Sequence, residues 1–144
     1  MRGALALVGQ LFGTFHRVEG TTMIELIGPI LVYQGDDLAL CLTVTDDDGV
    51  RVDLTTLDAI EVEVKSAPGA ADPALIHKDL TDGVTPRDQT ADATKGQADV
   101  VILSVNTTQT PGLYYLDVVV IVDGVRQHIE GPREFTIAGV VNQV

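Results

Sequence analysis

Residues Gly35–Ser66 read GDDLALCLTVTDDDGVRVDLTTLDAIEVEVKS, and their alternation decides the fold. Leu38, Leu40, Leu42 and Val44 share one parity; Ala39, Cys41, Thr43 and Thr45 share the other. A period of two belongs to a half-buried β-strand, because successive side chains leave a strand on opposite faces. Asp46-Asp47-Asp48-Gly49 breaks the pattern with a turn, Gly49 standing where left-handed backbone is needed. After a brief return over Val50–Asp53, alternation resumes at Leu57–Lys65, with Ile60, Val62 and Val64 inward and Glu61, Glu63 and Lys65 outward. Strand, tight turn and strand with one apolar face is the opening of an antiparallel β-sandwich.

The pattern extends in both directions. Upstream, Ile24–Tyr33 reads as a first strand interrupted at Gly28-Pro29, which marks an edge strand or a bulge. Downstream, Ala67–Ala74 is a loop by composition and Leu75–Leu80 a short strand. Thr81–Gln97 is the longest polar stretch, expected to cross between the sheets as an exposed loop with room for one helical turn. Ala98–Val105 carries the continuous run Val100-Val101-Ile102-Leu103, which fits a strand covered on both faces or one whose outer face meets a partner. Leu113–Val122 is the clearest strand: Asp117 marks its outer parity and places Tyr114, Leu116, Val118, Val120 and Val122 in the core. Asp123-Gly124 signals a hairpin, answered by Val125–Ile129, and Arg133–Ala138 closes the sheet with Phe135 and Ile137 inward. The expectation is an all-β, antiparallel sandwich of seven to eight strands over residues 23–144, preceded by an N-terminal arm, residues 1–22.

Composition limits what such a domain does. With 144 residues it is long enough to bury a core without staples. Trp is absent and aromatics are 4% of the chain, so Val, Leu, Ile and Ala must build the core, and stacking platforms for bases or sugars are scarce. A formal charge of −12 repels phosphate backbones and anionic bilayers, so neither nucleic acid nor membrane is an expected partner. The single cysteine, Cys41, excludes an intrachain disulfide and suits a reducing cytoplasm.

Residues 1–22 leave three readings open. The Arg and short apolar run at the start imitate a signal peptide but lack a convincing cleavage site. They could be incidental sequence before a start at Met23, or an ordered arm packing on the domain or on a neighbouring copy. The run is too short to span a bilayer. As an arm, Leu5, Leu7, Val8, Leu11, Phe12 and Phe15 are the assembly residues, too apolar to hang free in water and outside the sandwich pattern. A chain beginning at Met23 is then expected to fold equally well and to lose association.

Chemical signatures are missing where they were sought. Asp46-Asp47-Asp48 invites calcium, but no glutamate follows at the spacing of a calcium loop, and a solvated hairpin turn explains the run. His16, His77 and His128 are scattered and do not form a zinc pattern. Neither Ser66 nor Ser104 lies in a nucleophile elbow, and no Gly-rich phosphate loop precedes a helix. Glu61 and Glu63 share a face as glycosidase carboxylates do, yet their outward parity reads as solubility or strand pairing. The expectation is no catalytic residue, no cofactor and no metal.

Two resemblances add to this. Gly112-x-Tyr114-x-Leu116 is similar to the Gly-x-Tyr-x-Cys of immunoglobulin domains, with Leu116 in the cysteine's place. It implies that Tyr114 makes a tyrosine corner, its hydroxyl bonded to backbone upstream of Pro111. More broadly, Gly35-Asp36, Asp46–Gly49, Val52-Asp53-Leu54-Thr55, Lys65 and Pro111-Gly112-Leu113-Tyr114-Tyr115 resemble the immunoglobulin-like domains of tailed-bacteriophage virion proteins, typified by the N-terminal domain of the baseplate upper protein. The match covers about residues 30–138 and departs at Thr56-Leu57, where the family often has Gly-Ala. It implies an immunoglobulin-like, non-enzymatic structural protein of a phage or phage-like particle (tail, baseplate or head surface), made in the bacterial cytoplasm. Its partners would be other virion proteins and its own copies. The competing reading is a carbohydrate- or receptor-binding adhesion module, for which Tyr33 and Tyr115 are the outward aromatic candidates.

Overall fold

The computed structural model describes residues 7–17, 20–25, 29–68 and 74–140, with backbone alone over 12–17 and 20–25. In chain order the strands are β1 (Leu7–Arg17), β2 (Gly20–Glu25), β3 (Ile30–Tyr33), β4 (Leu38–Asp46), β5 (Ala59–Lys65), β6 (Ile76–Asp79), β7 (Val84–Pro86), β8 (Gln97–Ile102), β9 (Gly112–Val122) and β10 (Val125–Ala138). One 3-10 turn, Leu54–Thr56, stands before β5. The strands form two five-stranded sheets, β2-β1-β4-β8-β7 and β3-β10-β9-β5-β6. All pairings are antiparallel except that of β3 with β10. The chain is therefore an all-β sandwich, as its alternation requires.

The core lies between the sheets and is almost wholly aliphatic, with Phe135 its largest side chain. Leu40, Leu42 and Val44 of β4 meet Ile60, Val62 and Val64 of β5 and Leu116, Val118 and Val120 of β9. Each such side chain contributes about 1.5–3 kcal/mol on burial, before the cost of ordering it. In β8, Ala98, Val100 and Ile102 are buried while Val101 reaches solvent, as does Leu103 just beyond the strand. The continuous apolar run is thus an ordinary alternating strand with an apolar outer face.

Turn chemistry fixes the registers. Asp46 Oδ1 accepts from the N–H groups of Asp48 and Val50, both at 2.9 Å, closing the turn after β4. Asp53 caps the 3-10 turn by accepting from Thr55 N at 2.9 Å and Thr55 Oγ1 at 2.7 Å. Asp123 and Gly124 both have positive φ, 52° and 77°, the backbone that a two-residue hairpin between β9 and β10 demands.

Three expectations need correction. First, among the described residues the sandwich after residue 25 has the expected number of strands, eight (β3–β10), but not the expected set, and β1 and β2 add two more where an arm was read. Val84–Pro86, read as loop, pairs with β8 although it is only three residues long. Val125–Ile129 and Arg133–Ala138 are one strand, kept continuous past two register shifts between His128 and Arg133. The polar segment does cross from β6 in one sheet to β7 in the other, and it winds through turns without a helix. Gln89 ties it down, its Oε1 accepting from Leu54 N and Gly96 N at 2.9 Å each.

Second, the expected boundary between an arm and a domain after residue 22 falls inside β2. Third, Leu7 and Leu11 belong to the core rather than outside it; Leu11 is fully buried. β1 lies against β4 from Leu7↔Asp46 to Gly13↔Leu40 and packs toward β10 across the open side of the sandwich. Gly9 permits that approach: a Cβ there would stand 2.9 Å from Ile129 Cδ1 and 3.2 Å from Ile129 O. Gln127 Oε1 accepts from Leu7 N at 3.3 Å, fastening the strand's start. Beyond Gly13 only the β1–β2 pairing continues, to Arg17↔Gly20, so this hairpin runs about 13 Å past the last β4 pair at about 3.3 Å per residue.

The edges are treated unequally. Lys78 of edge strand β6 points inward, its side chain only 5% exposed, and its Nζ reaches Asp82 at 3.6 Å. An inward lysine makes strand addition costly. The opposite edge, β7, is three residues long and ends on Pro86. Edge strand β3 carries no charged residue.

Candidate functional site

The outer face of the β3-β10-β9-β5-β6 sheet holds the densest polar grouping. Glu63 of β5 stands opposite His77 of β6 on one side and Asp117 of β9 on the other. Its carboxylate meets His77 Nδ1 at 3.2 Å, Arg126 at 3.6 Å and Lys65 at 4.0 Å. Arg126 also bonds Glu61 at 2.9 Å, and His77 Nε2 faces Asp79 at 3.1 Å. The outward parity read for Glu61 and Glu63 holds, but Glu63 is buried beneath its partners.

With both ring nitrogens against carboxylates, His77 fits its surroundings best as the doubly protonated cation. Partial burial alone would lower its pKa; the hydrogen bonds to Asp79 and Glu63 outweigh that and hold it above its ordinary 6.5. Asp79 is held below the usual carboxylate range, chiefly by Thr81, whose N–H and hydroxyl it accepts at 2.9 and 2.6 Å. Asp117 goes the other way. Burial raises it, against the smaller lowering effect of His128 and Lys65, and among the described residues its Oδ1 lacks a hydrogen-bond partner.

The sign for stability follows from His77. A raised folded pKa contributes stability that is complete below about pH 6.5 and is lost as pH rises through the folded value. Urea midpoints of the wild type should therefore fall across that interval, and those of His77→Gln should not. The difference should stay below about 1 kcal/mol, because the imidazole is part-exposed and screened. Equal slopes for the two proteins would refute the assignment. Asp117 acts in a separate, acid window: its stabilising protonation is lost as pH rises from 3.8 through its folded value.

The other sequence candidates fall elsewhere. The Asp46, Asp47 and Asp48 carboxylates lie within 4.8 Å of one another on an exposed turn, where Asp46 serves the backbone. Cys41 has the outward parity expected but is buried; burial pushes its thiol up, against the smaller pull of Arg87, so it is a poor nucleophile. Leu7 and Leu11 face the core, Val8 is exposed, and Phe12 and Phe15 lie in β1 where the backbone alone is described. Leu5 lies outside the described residues.

Tyr114 makes the bond expected of a tyrosine corner: its hydroxyl donates to the carbonyl of Thr110, directly before Pro111. The ring is half-buried rather than buried, packed on the margin of the core. Water can replace the lost bond, so Tyr114→Phe should cost under about 1 kcal/mol. A urea titration reads this directly, and a loss above about 2 kcal/mol would mean the hydroxyl does more than close the corner.

A shallow cleft of about 410 Å³ opens where β10 bulges, with Pro29, Glu130, Gly131, Pro132, Arg133 and Glu134 as its described lining. These residues include no aromatic ring, and Glu130 and Arg133 there are paired with each other. Two residues further along β3 and β10 from Pro29 and Glu134 the surface changes character. Leu31, Thr136 and Leu113 stand in one cross-strand row, with Tyr33 and Ala138 in the next. Leu31 is 55% exposed, Tyr33 50% and Leu113 47%, in a row without charge. Sequence reasoning missed this strip because β3 is short and its neighbours are set by tertiary pairing.

The fold and these surfaces define a two-sheet β-sandwich with an acidic central face and an uncharged apolar end. No family model matches the chain, and no curated protein matches it. Among the described residues, no helix is long and apolar enough to cross a membrane.

Proposed function

We propose that this protein is a non-enzymatic structural component of a phage or phage-like particle that works by protein–protein assembly. The observation that carries the assembly part is the uncharged strip of Leu31, Tyr33 and Leu113 on a chain of formal charge −12. Exposed apolar rows of this kind mark interaction surfaces. Glu61, Glu63, His77, Asp79 and Arg126 of the same sheet are engaged with one another, and in the cleft beside β10 Glu130 is paired with Arg133, which favours a non-catalytic role.

The particle part rests on the resemblance of about residues 30–138 to immunoglobulin-like virion domains. The two-sheet strand order supports it: within β2-β1-β4-β8-β7 and β3-β10-β9-β5-β6, the runs β4-β8-β7 and β10-β9-β5 resemble those of immunoglobulin-like sandwiches, to which β1 and β2 are additional. The Tyr114 corner agrees. Leu7 and Leu11 are used up in the core, so docking falls to the strip and to the projecting β1–β2 hairpin. Virion residence and synthesis in a bacterial cytoplasm belong to the same reading.

Mass spectrometry of purified particles tests it. The chain should be present at a fixed copy number, and cross-links from it should reach other virion proteins. A chain absent from washed particles would refute the reading. If the isolated protein were instead retained on a glycan array, the adhesion-module alternative would replace it.

A further inference from the structure

We propose that β3 is a self-pairing edge: two copies of this chain join antiparallel through residues 29–33 about a twofold axis at Leu31, making one continuous ten-stranded sheet. This deepens the assembly reading above and rests on it. It begins from the unguarded state of this edge. A free edge offers unpaired N–H and C=O groups to any extended chain, and natural sheets blunt it with charge, proline, brevity or an inward lysine. β6 has Lys78, and β7 has its short length and Pro86. β3 reads Ile-Leu-Val-Tyr: it is as short as β6, four residues, but has no charge, no proline and no inward lysine inside it.

The backbone inventory selects the occupant. Gln34 N–H donates to Ala138 O of β10 at 2.8 Å. By the two-residue alternation of a strand, Val32 and Ile30 also direct their backbone groups to β10, while Leu31 and Tyr33 direct theirs to the free edge. Tyr33 O already accepts from Asp36 N at 3.0 Å. The edge therefore presents the N–H and C=O of Leu31, the N–H of Tyr33, and the C=O of Pro29, which has no N–H to offer. Place a second copy antiparallel with Leu31 opposite its own counterpart. Leu31 N–H then meets the other Leu31 C=O in both directions, and each Tyr33 N–H meets the other copy's Pro29 C=O. Four hydrogen bonds form and no donor is left over, because the one position without a donor falls opposite the one carbonyl already served.

Side chains agree. Odd residues face odd residues in this register, so both copies turn the same face outward. Leu31 packs on Leu31 across the axis, and the Tyr33 ring lies beside Pro29. The acidic groups of this sheet, Glu61, Glu63, Asp79, Asp117, Glu130 and Glu134, lie on β5, β6, β9 and β10; β3 itself is neutral, and the exposed Glu134 sits on β10, the strand next to it. Like charge on the two chains opposes the pair, so added salt must strengthen it by screening.

Sedimentation equilibrium of the full chain over a wide concentration range tests this, at about 0.01 M and about 1 M salt, where the Debye length falls from about 30 to about 3 Å. The 15.3 kDa chain should show a monomer–dimer equilibrium that tightens with salt. Leu31→Lys sets two ammonium groups against each other at the axis and should weaken the dimer at least about tenfold. Val105→Lys, on a residue 69% exposed in the turn after β8, should leave it unchanged. Amide exchange of the wild type gives an independent readout should Leu31→Lys misfold: the Leu31 and Tyr33 amides should be protected at high concentration and exchange freely at low. A wild type monomeric at every concentration and salt, a Leu31→Lys dimer of unchanged affinity, or amide protection independent of concentration would each overturn the proposal. A monomer still incorporated into particles would overturn the edge pairing alone. A dimer absent from particles would overturn the particle reading alone.

Discussion

A chain beginning at Met23 should show no cooperative urea transition under conditions where the full chain shows one. The deletion removes β1 entirely and the first three residues of β2. It strips the seven β1–β4 pairs from Leu7↔Asp46 to Gly13↔Leu40 and leaves β4, the centre of its sheet, as an edge. It also removes Leu7 and Leu11 from the core and uncovers Ile129. Leu11→Ala alone should cost about 2–5 kcal/mol, since its side chain is fully buried. Small domains hold only about 5–15 kcal/mol in total, so losing both leucines and a strand's pairing exhausts it. Far-UV circular dichroism with urea titration decides the matter. A truncated chain with an unchanged midpoint would restore the separate arm that the apolar run first suggests.

Gly131→Ala should destabilise the protein by about 2–4 kcal/mol, an effect out of proportion to one methyl group. Gly131 has φ of +93°, in the region where L-residues are strained. A Cβ there would collide with the Leu116 carbonyl oxygen and stand 2.9 Å from Asp117 Oδ1. Neither can withdraw cheaply: the carbonyl belongs to the central strand β9, and Asp117 is held beside Glu63. The β10 bulge must therefore open, and with it the register between Glu130↔Val118 and Arg133↔Leu116. The same substitution at Gly124, whose Cβ would meet nothing within 4 Å, should cost only the strain of its positive φ. Paired urea midpoints for the two variants separate crowding from strain, and equal losses would show that crowding at Gly131 adds nothing.

Much of the sandwich was legible in the chain. In Leu38–Asp46, Ala59–Lys65 and Gly112–Val122 the apolar parity lines the core, and alternation was sufficient to find it, although Cys41, Thr43, Glu63 and Val119 of the other parity are buried too. The turns at Asp46–Gly49 and Asp123-Gly124 were equally plain, because the residues that tolerate left-handed backbone are few. Tyr114 was found through a short motif whose physical content is one side-chain bond to nearby backbone. β1 was not legible: Gly9 and Gly13 interrupt the alternation, and at Gly9 the reason is the passage of Ile129. β7 escaped because three residues carry too little pattern.

The division has a physical basis. Period-two burial, turn residues and net charge depend on neighbours a few positions apart, so the chain alone determined an all-β, acidic sandwich and the places where it reverses. Which strand becomes an edge, and what that edge exposes, depends on partners up to a hundred residues away. Only the tertiary structure placed Leu7 and Leu11 inside, brought His77, Glu63 and Asp117 into one row, and left the neutral β3 edge beside Leu113. Cross-strand neighbours are set by register and sheet order, and these are decided by the joint packing of all the strands rather than by any segment of the sequence.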